Sequence, residues 1–370
     1  MRIIIAGDFC PQDRVERLFS VGNWRSVLGN VKPIVDMADY SLVNFECCVT
    51  KGREKPIEKQ GPNLCCSENG LKALKWAGFD GVTLANNHFN DYGEEGVSNT
   101  LNACAKYGLD VVGGGKNLQE ASKVLYRSIG KDIVAVINCC EHEFSIATET
   151  KGGSNPFNPI QQYYAIRDAK EKANYVLVIV HGGHEHYQLP SLRMQETYRF
   201  FIDAGADAVI NHHQHCYSGY EVYHGKPIFY GIGNFCFDKM GRRKGMWNEG
   251  YLVVLDLNQT VQFEILPYVQ CSDEAKVTIV ESSAYSESIK RLNAIIANNK
   301  MLNEALNRFF SSQVTHYSDL FEPSVNRYYL ALKHRGLLPS LIGHKKKLRL
   351  ANYICCESHH DILKFIFEGI

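Results

Sequence analysis

Five apolar runs in this chain each lead into a residue able to hold a metal ion, and that repetition limits the folds open to it. Residues 2–7 lead into Asp8, residues 41–45 into Glu46, and residues 78–85 into Asn86, Asn87 and His88. Residues 175–180 lead into His181, and residues 206–210 into Asn211, His212, His213, Gln214 and His215. Short apolar runs rich in β-branched residues read as buried strands. Parallel strands of one sheet bring the loops at their carboxyl ends to one edge, where open α/β sheets hold ligands. Packing alone gives no reason for five core strands to end this way. The expected class is α/β.

Each segment also has a plainer explanation. Asp8, after Gly7, equally suits capping the next turn. Asn44 and Glu46 are two apart and share a strand face. A buried carboxylate without a partner is costly, and a metal would remove that cost. In Asn86-Asn87-His88-Phe89-Asn90-Asp91 an amide carbonyl suits a metal, while His88 is free to face a substrate with Asp91 orienting its ring. An Asn-rich turn before a helix at 93–106 accounts for the same residues. His181 is followed by two glycines that leave room around it. His213 and His215 are two apart, so an extended turn aims both at one point; a hydrogen-bonded histidine cluster is the alternative.

Taken together, the set mixes nitrogen and oxygen donors without clustered thiolates, which suits zinc, manganese or iron. One ion takes Asp8 and His215, a second takes Asn87, His181 and His213, and Glu46 bridges or lies between. Two ions roughly 3.5–4 Å apart clamp a phosphate-like group and activate water for in-line attack. His88, left unligated, protonates the leaving group or stabilises developing charge.

The rest of the chain frames this set. Helices are expected at 27–39, from Ser67 as N-cap to 77, at 160–173 and at 192–204. Hairpins are expected at 124–139 and 219–230, and strands at 251–257 and 261–269. Helical periodicity sets in at 283–312, with mixed helix and loop beyond it. A boundary near 275–283 divides a domain at 1–280 from a mostly helical extension at 281–370. Gly113-Gly114-Gly115 has neither the Walker nor the GxGxxG spacing of a phosphate loop. The one basic run, His344 to Arg349, reads as a solvated helix face or as a dock for an anionic lipid surface or polymer.

Charge narrows the partners. Lys+Arg and Asp+Glu are 40 each, so no whole-protein field draws nucleic acid, and none is expected. The first apolar run is too short for a signal peptide, and no window reaches the roughly 18–20 apolar residues of a spanning helix. The chain is expected to be cytoplasmic unless an anchor was lost from it, with peripheral membrane contact left open. Thirteen cysteines include four adjacent pairs, read as reduced, small core residues.

Six of these segments, in order and spacing, resemble the CapA family, the poly-γ-glutamate capsule biosynthesis group within the calcineurin-like metallophosphoesterases. They are Gly7-Asp8, Asn44-Phe45-Glu46, the stretch 85–93, the stretch 181–187, the stretch 205–215, and Tyr230 to Phe235. The resemblance covers roughly residues 1–240. It implies a four-layer α-β-β-α sandwich, a site for two divalent metal ions, and hydrolase chemistry on an anionic small molecule or polymer. It also implies a link to capsule or exopolymer synthesis proteins as partners. Two other readings stay open: a non-catalytic capsule-assembly component, and an amide ligase subunit or amide hydrolase acting on a polyglutamate-like polymer. The chain departs from the wider superfamily at Cys10, where a histidine is usual. It departs from the family at Gln214, where proline is usual, and in lacking the N-terminal membrane anchor that members often carry. The region after about 283 lies outside the resemblance and is expected to be a helical appendage that covers the site or binds a partner.

Overall fold

Alternation along the first strand decides where the rest of the chain packs. In β1 (Arg2–Phe9), Ile3 and Ile5 join one apolar cluster, while Ile4 and Ala6 join another. Period-two alternation puts these pairs on opposite faces, so the sheet is covered on both sides. The computed structural model describes residues 1–321, 327–338 and 343–368.

β1 lies inside an eight-stranded sheet. On one side it pairs in parallel with β2 (Tyr40–Phe45), followed by β3 (Gly81–Thr83) and β4 (Asp110–Val112). A second sheet has six strands. Its central strands β6 (Asp132–Cys140), β7 (Tyr175–His181) and β8 (Ala208–His212) run parallel, with β5 (Leu125–Ile129) on the outer flank of β6. The hairpin β9 (Tyr220–Tyr223) and β10 (Lys226–Phe229) closes the far side. Short β11 (Asn234–Cys236) returns to pair with β1, at Asp8. β12 (Glu249–Leu257), β13 (Val261–Gln270) and β14 (Val277–Ile279) complete the first sheet on its antiparallel side. The architecture is mixed α/β with several sheets and a helical C-terminal region.

Helices Asp13–Ser20, Asn69–Trp76 and Gly93–Tyr107 cover one face of the first sheet through Val15, Phe19, Leu71, Leu74 and Val97. Helices Pro159–Lys172 and Leu192–Ala204 pack on the second sheet through Ile166, Phe201 and Ile202. The C-terminal helices join that same cluster through Ile289, Leu292, Leu306, Phe310, Tyr353 and Ile362.

Several local expectations need correcting. The helix expected at 27–39 is two short ones, Trp24–Leu28 and Lys32–Val35. Gly29 closes the first, and Pro33 suits only the first turn of the second. Ser67 does not cap the next helix; the cap position is Glu68, and no side chain bonds there. The last site strand extends two residues further than expected, so His212 ends β8 rather than lying in its loop.

Candidate metal centre

β1 would turn Asp8 away from the site if strict alternation held, because Asp8 shares parity with Ile4 and Ala6. The pairing with β2 slips between Ala6 and Asp8, and a bulge of this kind re-aims the side chain that follows. Gly7 occupies the slip. A Cβ there would sit 1.9 Å from the Gly233 carbonyl oxygen, so only glycine fits. Asp8 then meets Asn44, whose Nδ2 donates to Asp8 Oδ1 at 2.7 Å. Alternation along β2 puts Leu42, Asn44 and Glu46 on that same side.

Two groups of donor atoms result. Glu46, His181 and His213 offer ligand atoms within 4.8 Å of one another, and so do Asp8, Glu46 and His215. Glu46 belongs to both. In the first group His181 Nε2 lies 3.1 Å from His213 Nδ1, 3.1 Å from Asn87 Oδ1 and 3.5 Å from Glu46 Oε1. Ligand atoms bound tetrahedrally at about 2.0–2.1 Å stand roughly 3.3 Å apart, so these spacings match the edges of a coordination shell. In the second group His215 Nδ1 is 3.7 Å from Asp8 Oδ2, and His215 Nε2 is 3.8 Å from Glu46 Oε1.

The Glu46 carboxylate is the test of fit. It is fully buried, and neither of its oxygens has a hydrogen-bond partner. Burial, followed by the charge of Asp8, pushes its pKa well above the ordinary range. A buried carboxylate left this way is stabilised by a cation. Asp8 behaves oppositely: burial opposes its charge, but the His212 hydrogen bond and nearby imidazoles outweigh it and hold the pKa low. Burial, then His213, depresses His181, which keeps its ring neutral and free to ligate. The residues present fit a pair of divalent cations.

The loop after β8 is strained to make this shape. His213 and His215 have φ of 93° and 55°, a region non-glycine residues enter at a cost of about 1–3 kcal/mol. The His213 backbone N–H donates to Asp8 Oδ2 at 3.2 Å, and His215 Nδ1 lies 2.9 Å from Asn234 Oδ1. Such strain persists where the surroundings enforce it, most often at functional sites.

His88 stands beside the first group without joining it. Its Nδ1 is 2.6 Å from Asp91 Oδ2, the expected couple. A third member was not expected: the Lys59 ammonium pairs with Asp91 Oδ1 and lies 3.1 Å from His88 Nδ1. Burial and then Lys59 lower the His88 pKa to about 4, so the ring is neutral at pH 7. Beyond these residues opens a cavity of about 290 Å³, lined on one side by His88, Asn87 and His213 and on the other by C-terminal helices.

All eight residues picked out by sequence meet at this rim. Sequence reasoning missed Lys59, His212, Asn234, Glu143 and Glu185. His212 Nδ1 lies 3.1 Å from Asp8 Oδ1, and its Nε2 is buried without a partner. Its histidine neighbours were the available signal. Lys59 sits in a charged loop with Pro56, Gly61 and Pro62 and gave none. Cys10 is buried and stands in neither donor group; Gln12 Nε2 donates to its Sγ at 3.4 Å.

The family described as bacterial capsule synthesis protein PGA_cap matches residues 2–239. The chain belongs to this family. The Capsule biosynthesis protein CapA of Bacillus anthracis is 32% identical over 247 residues, 65% of this chain and 60% of that protein. The PGA biosynthesis protein CapA of Bacillus subtilis strain 168 is 33% identical over 266 residues, 70% of this chain and 69% of that one. The chain thus spans between three-fifths and about two-thirds of these two relatives. A putative 5'-nucleotidase from Staphylococcus aureus, solved with alpha-ketoglutarate, aligns at TM-score 0.45 and 15% identity over 80% of this chain and 58% of that one. Among the described residues no helix is long and apolar enough to cross a membrane.

Proposed function

We propose that this protein is a metal-dependent hydrolase of the phosphoester type, acting on an anionic intermediate of capsule or exopolymer production. In this reading the fold is a four-layer α-β-β-α sandwich over residues 1–280, and the helices after residue 281 form an appendage. The observation that carries it is Glu46, a buried carboxylate with no partner, shared by two donor groups. Asp8 and His215 would hold one ion; Asn87, His181 and His213 would hold the other; Glu46 would serve both. When bound, two such ions supply Lewis acidity toward a phosphoryl oxygen and toward water.

The chain's own residues do the rest. Asp91 fixes the His88 tautomer by accepting from Nδ1, which leaves Nε2 as the free ring nitrogen. The neutral ring is an acceptor at rest, so Nε2 is the atom that, once protonated, would give its proton to the leaving oxygen or stabilise the charge developing there. Lys59 adds positive charge beside the ring without leaving Asp91. The names of the relatives support the capsule assignment, and the donor groups support the chemistry.

Two measurements test this. Elemental analysis of protein purified without chelators should find about two metal ions per chain, and fewer in Asp8→Ala and His213→Ala. Hydrolysis of an aryl phosphodiester should be lost in His88→Ala while its metal content stays at the wild-type level. Metal-loaded protein inert toward both phosphomonoesters and phosphodiesters would refute the assignment.

A further inference from the structure

The cavity has two unlike walls. Its floor holds the donor groups, which carry net positive charge once two divalent ions are bound. The same cavity is lined by Glu143, close to His213, and by Glu185, whose side chain is half exposed. Among the described residues no Lys or Arg pairs with either carboxylate. Glu143 Oε1 is 3.9 Å from His213 Nε2, and Glu185 Oε2 is 3.8 Å from His186 Nε2, both too long for hydrogen bonds. Lys59, the lysine on the lining, is taken by Asp91.

A second observation comes from the opposite side, beyond the part of the chain that matches the family. Asn352 is 7% exposed and lines the same cavity. Its Nδ2 donates to His359 Nε2 at 3.1 Å, while its Oδ1 is buried without a partner. Tyr317 and Tyr353 stack beside it, with ring centroids 4.3 Å apart. Two carboxylates, an amide oxygen and aromatic rings are the surroundings that suit an ammonium group: acceptors for its three N–H bonds, and π-density for its charge. An anionic or purely apolar ligand would leave the buried Asn352 Oδ1 unmatched and would bring no counter-charge to the two carboxylates.

We propose that Glu143, Glu185 and Asn352 form a subsite for a primary ammonium, so that the substrate is a zwitterion with its anionic end at the donor groups. This rests on the hydrolase reading only for the placing of the anionic end. Glu143 and Glu185 act as specificity residues, and the C-terminal helices complete the subsite through Asn352.

The test uses the full chain loaded with Mn²⁺ and calorimetric titration with two matched pairs of ligands. The first pair is O-phosphoethanolamine and ethyl phosphate; the second is β-alanine and propionate. Within each pair the ligands differ by the amine. The amine-bearing ligand should bind at least about tenfold more tightly, the scale of one charged hydrogen bond. That advantage should vanish in a Glu143→Gln, Glu185→Gln double variant whose metal content is unchanged. Equal affinities within both pairs in the wild-type protein would overturn the subsite, as would an amine preference that survives in the double variant. Amine preference in the carboxylate pair, with neither phosphate binding, would uphold the subsite and sink the phosphoester reading. No binding by either pair would overturn both.

Discussion

Glu46 and Glu141 follow the last residues of strands in the two large sheets, and both are almost wholly buried. Around Glu141 every need is met. Arg193 Nη2 donates to it at 2.7 Å, the Gly183 N–H at 3.2 Å, and the Ser358 hydroxyl also donates. Burial opposes its charge, but Arg193 and Ser358 outweigh burial and bring the pKa to about 2. Glu46 has none of this. Burial depth therefore does not separate a carboxylate satisfied by the protein from one left to a cation; the count of donors around it does. Glu141 also appears in a group with Cys356 and Glu357 at ligand spacing, yet Glu357 is held by His142 and Glu141 by Arg193. That group ties the last helix to the second sheet and needs no ion.

The contrast is open to attack at several points. The largest effect should come from Asp8→Ala, which should lower turnover on an aryl phosphodiester by more than about 100-fold, beyond what outer partners of a ligand cost. A smaller loss with full metal content would remove Asp8 from the ligand set. Glu141→Ala leaves Arg193 with Asp361 alone and strands the donors of Gly183 and Ser358. It should destabilise the protein by about 1–3 kcal/mol in urea unfolding, with metal content unaltered.

The same carboxylate gives a pH signature. Its folded pKa lies below the ordinary 4.5, so the stability it contributes is complete above pH 4.5 and drains away as pH falls toward 2. The gap in stability between wild type and Glu141→Gln should therefore shrink over that interval; a constant gap would mean that its charge does not matter. The smallest effect should be at Glu46 itself. In protein stripped of metal, Glu46→Gln should raise stability at pH 7 by about 1 kcal/mol, because a buried group that resists ionisation is replaced by a neutral one. Metal-loaded protein should lose from the same change. A destabilised stripped variant would show that Glu46 has partners of its own.

Much of this centre was legible in the chain. Apolar runs located the strand ends, and parity placed Asn44 and Glu46 together. The spacing of His213 and His215 suggested an extended turn aiming both at one point; instead left-handed backbone at both sends them to different donor groups. Parity pointed the wrong way for Asp8, because a one-residue slip at Gly7 depends on the Gly233 backbone far along the chain. Lys59 was invisible for a similar reason: its partner is 32 residues away, and nothing local marks a loop lysine that becomes 3% exposed. Gly29 and Pro33, which split the expected helix at 27–39, were in plain sight and were outvoted by periodicity. The C-terminal side of the cavity could not be read at all, since it depends on where helices beyond the family match come to rest.

That last feature bears on how knowledge passes between relatives. The matched stretch stops at residue 239, whereas Phe309, Tyr317, Asn352, Tyr353 and His359 all face the cavity. A relative with the same floor and another tail would offer the same donor groups through a different doorway. A chimera carrying a foreign tail on this body should keep its metal stoichiometry and change which ligands it admits.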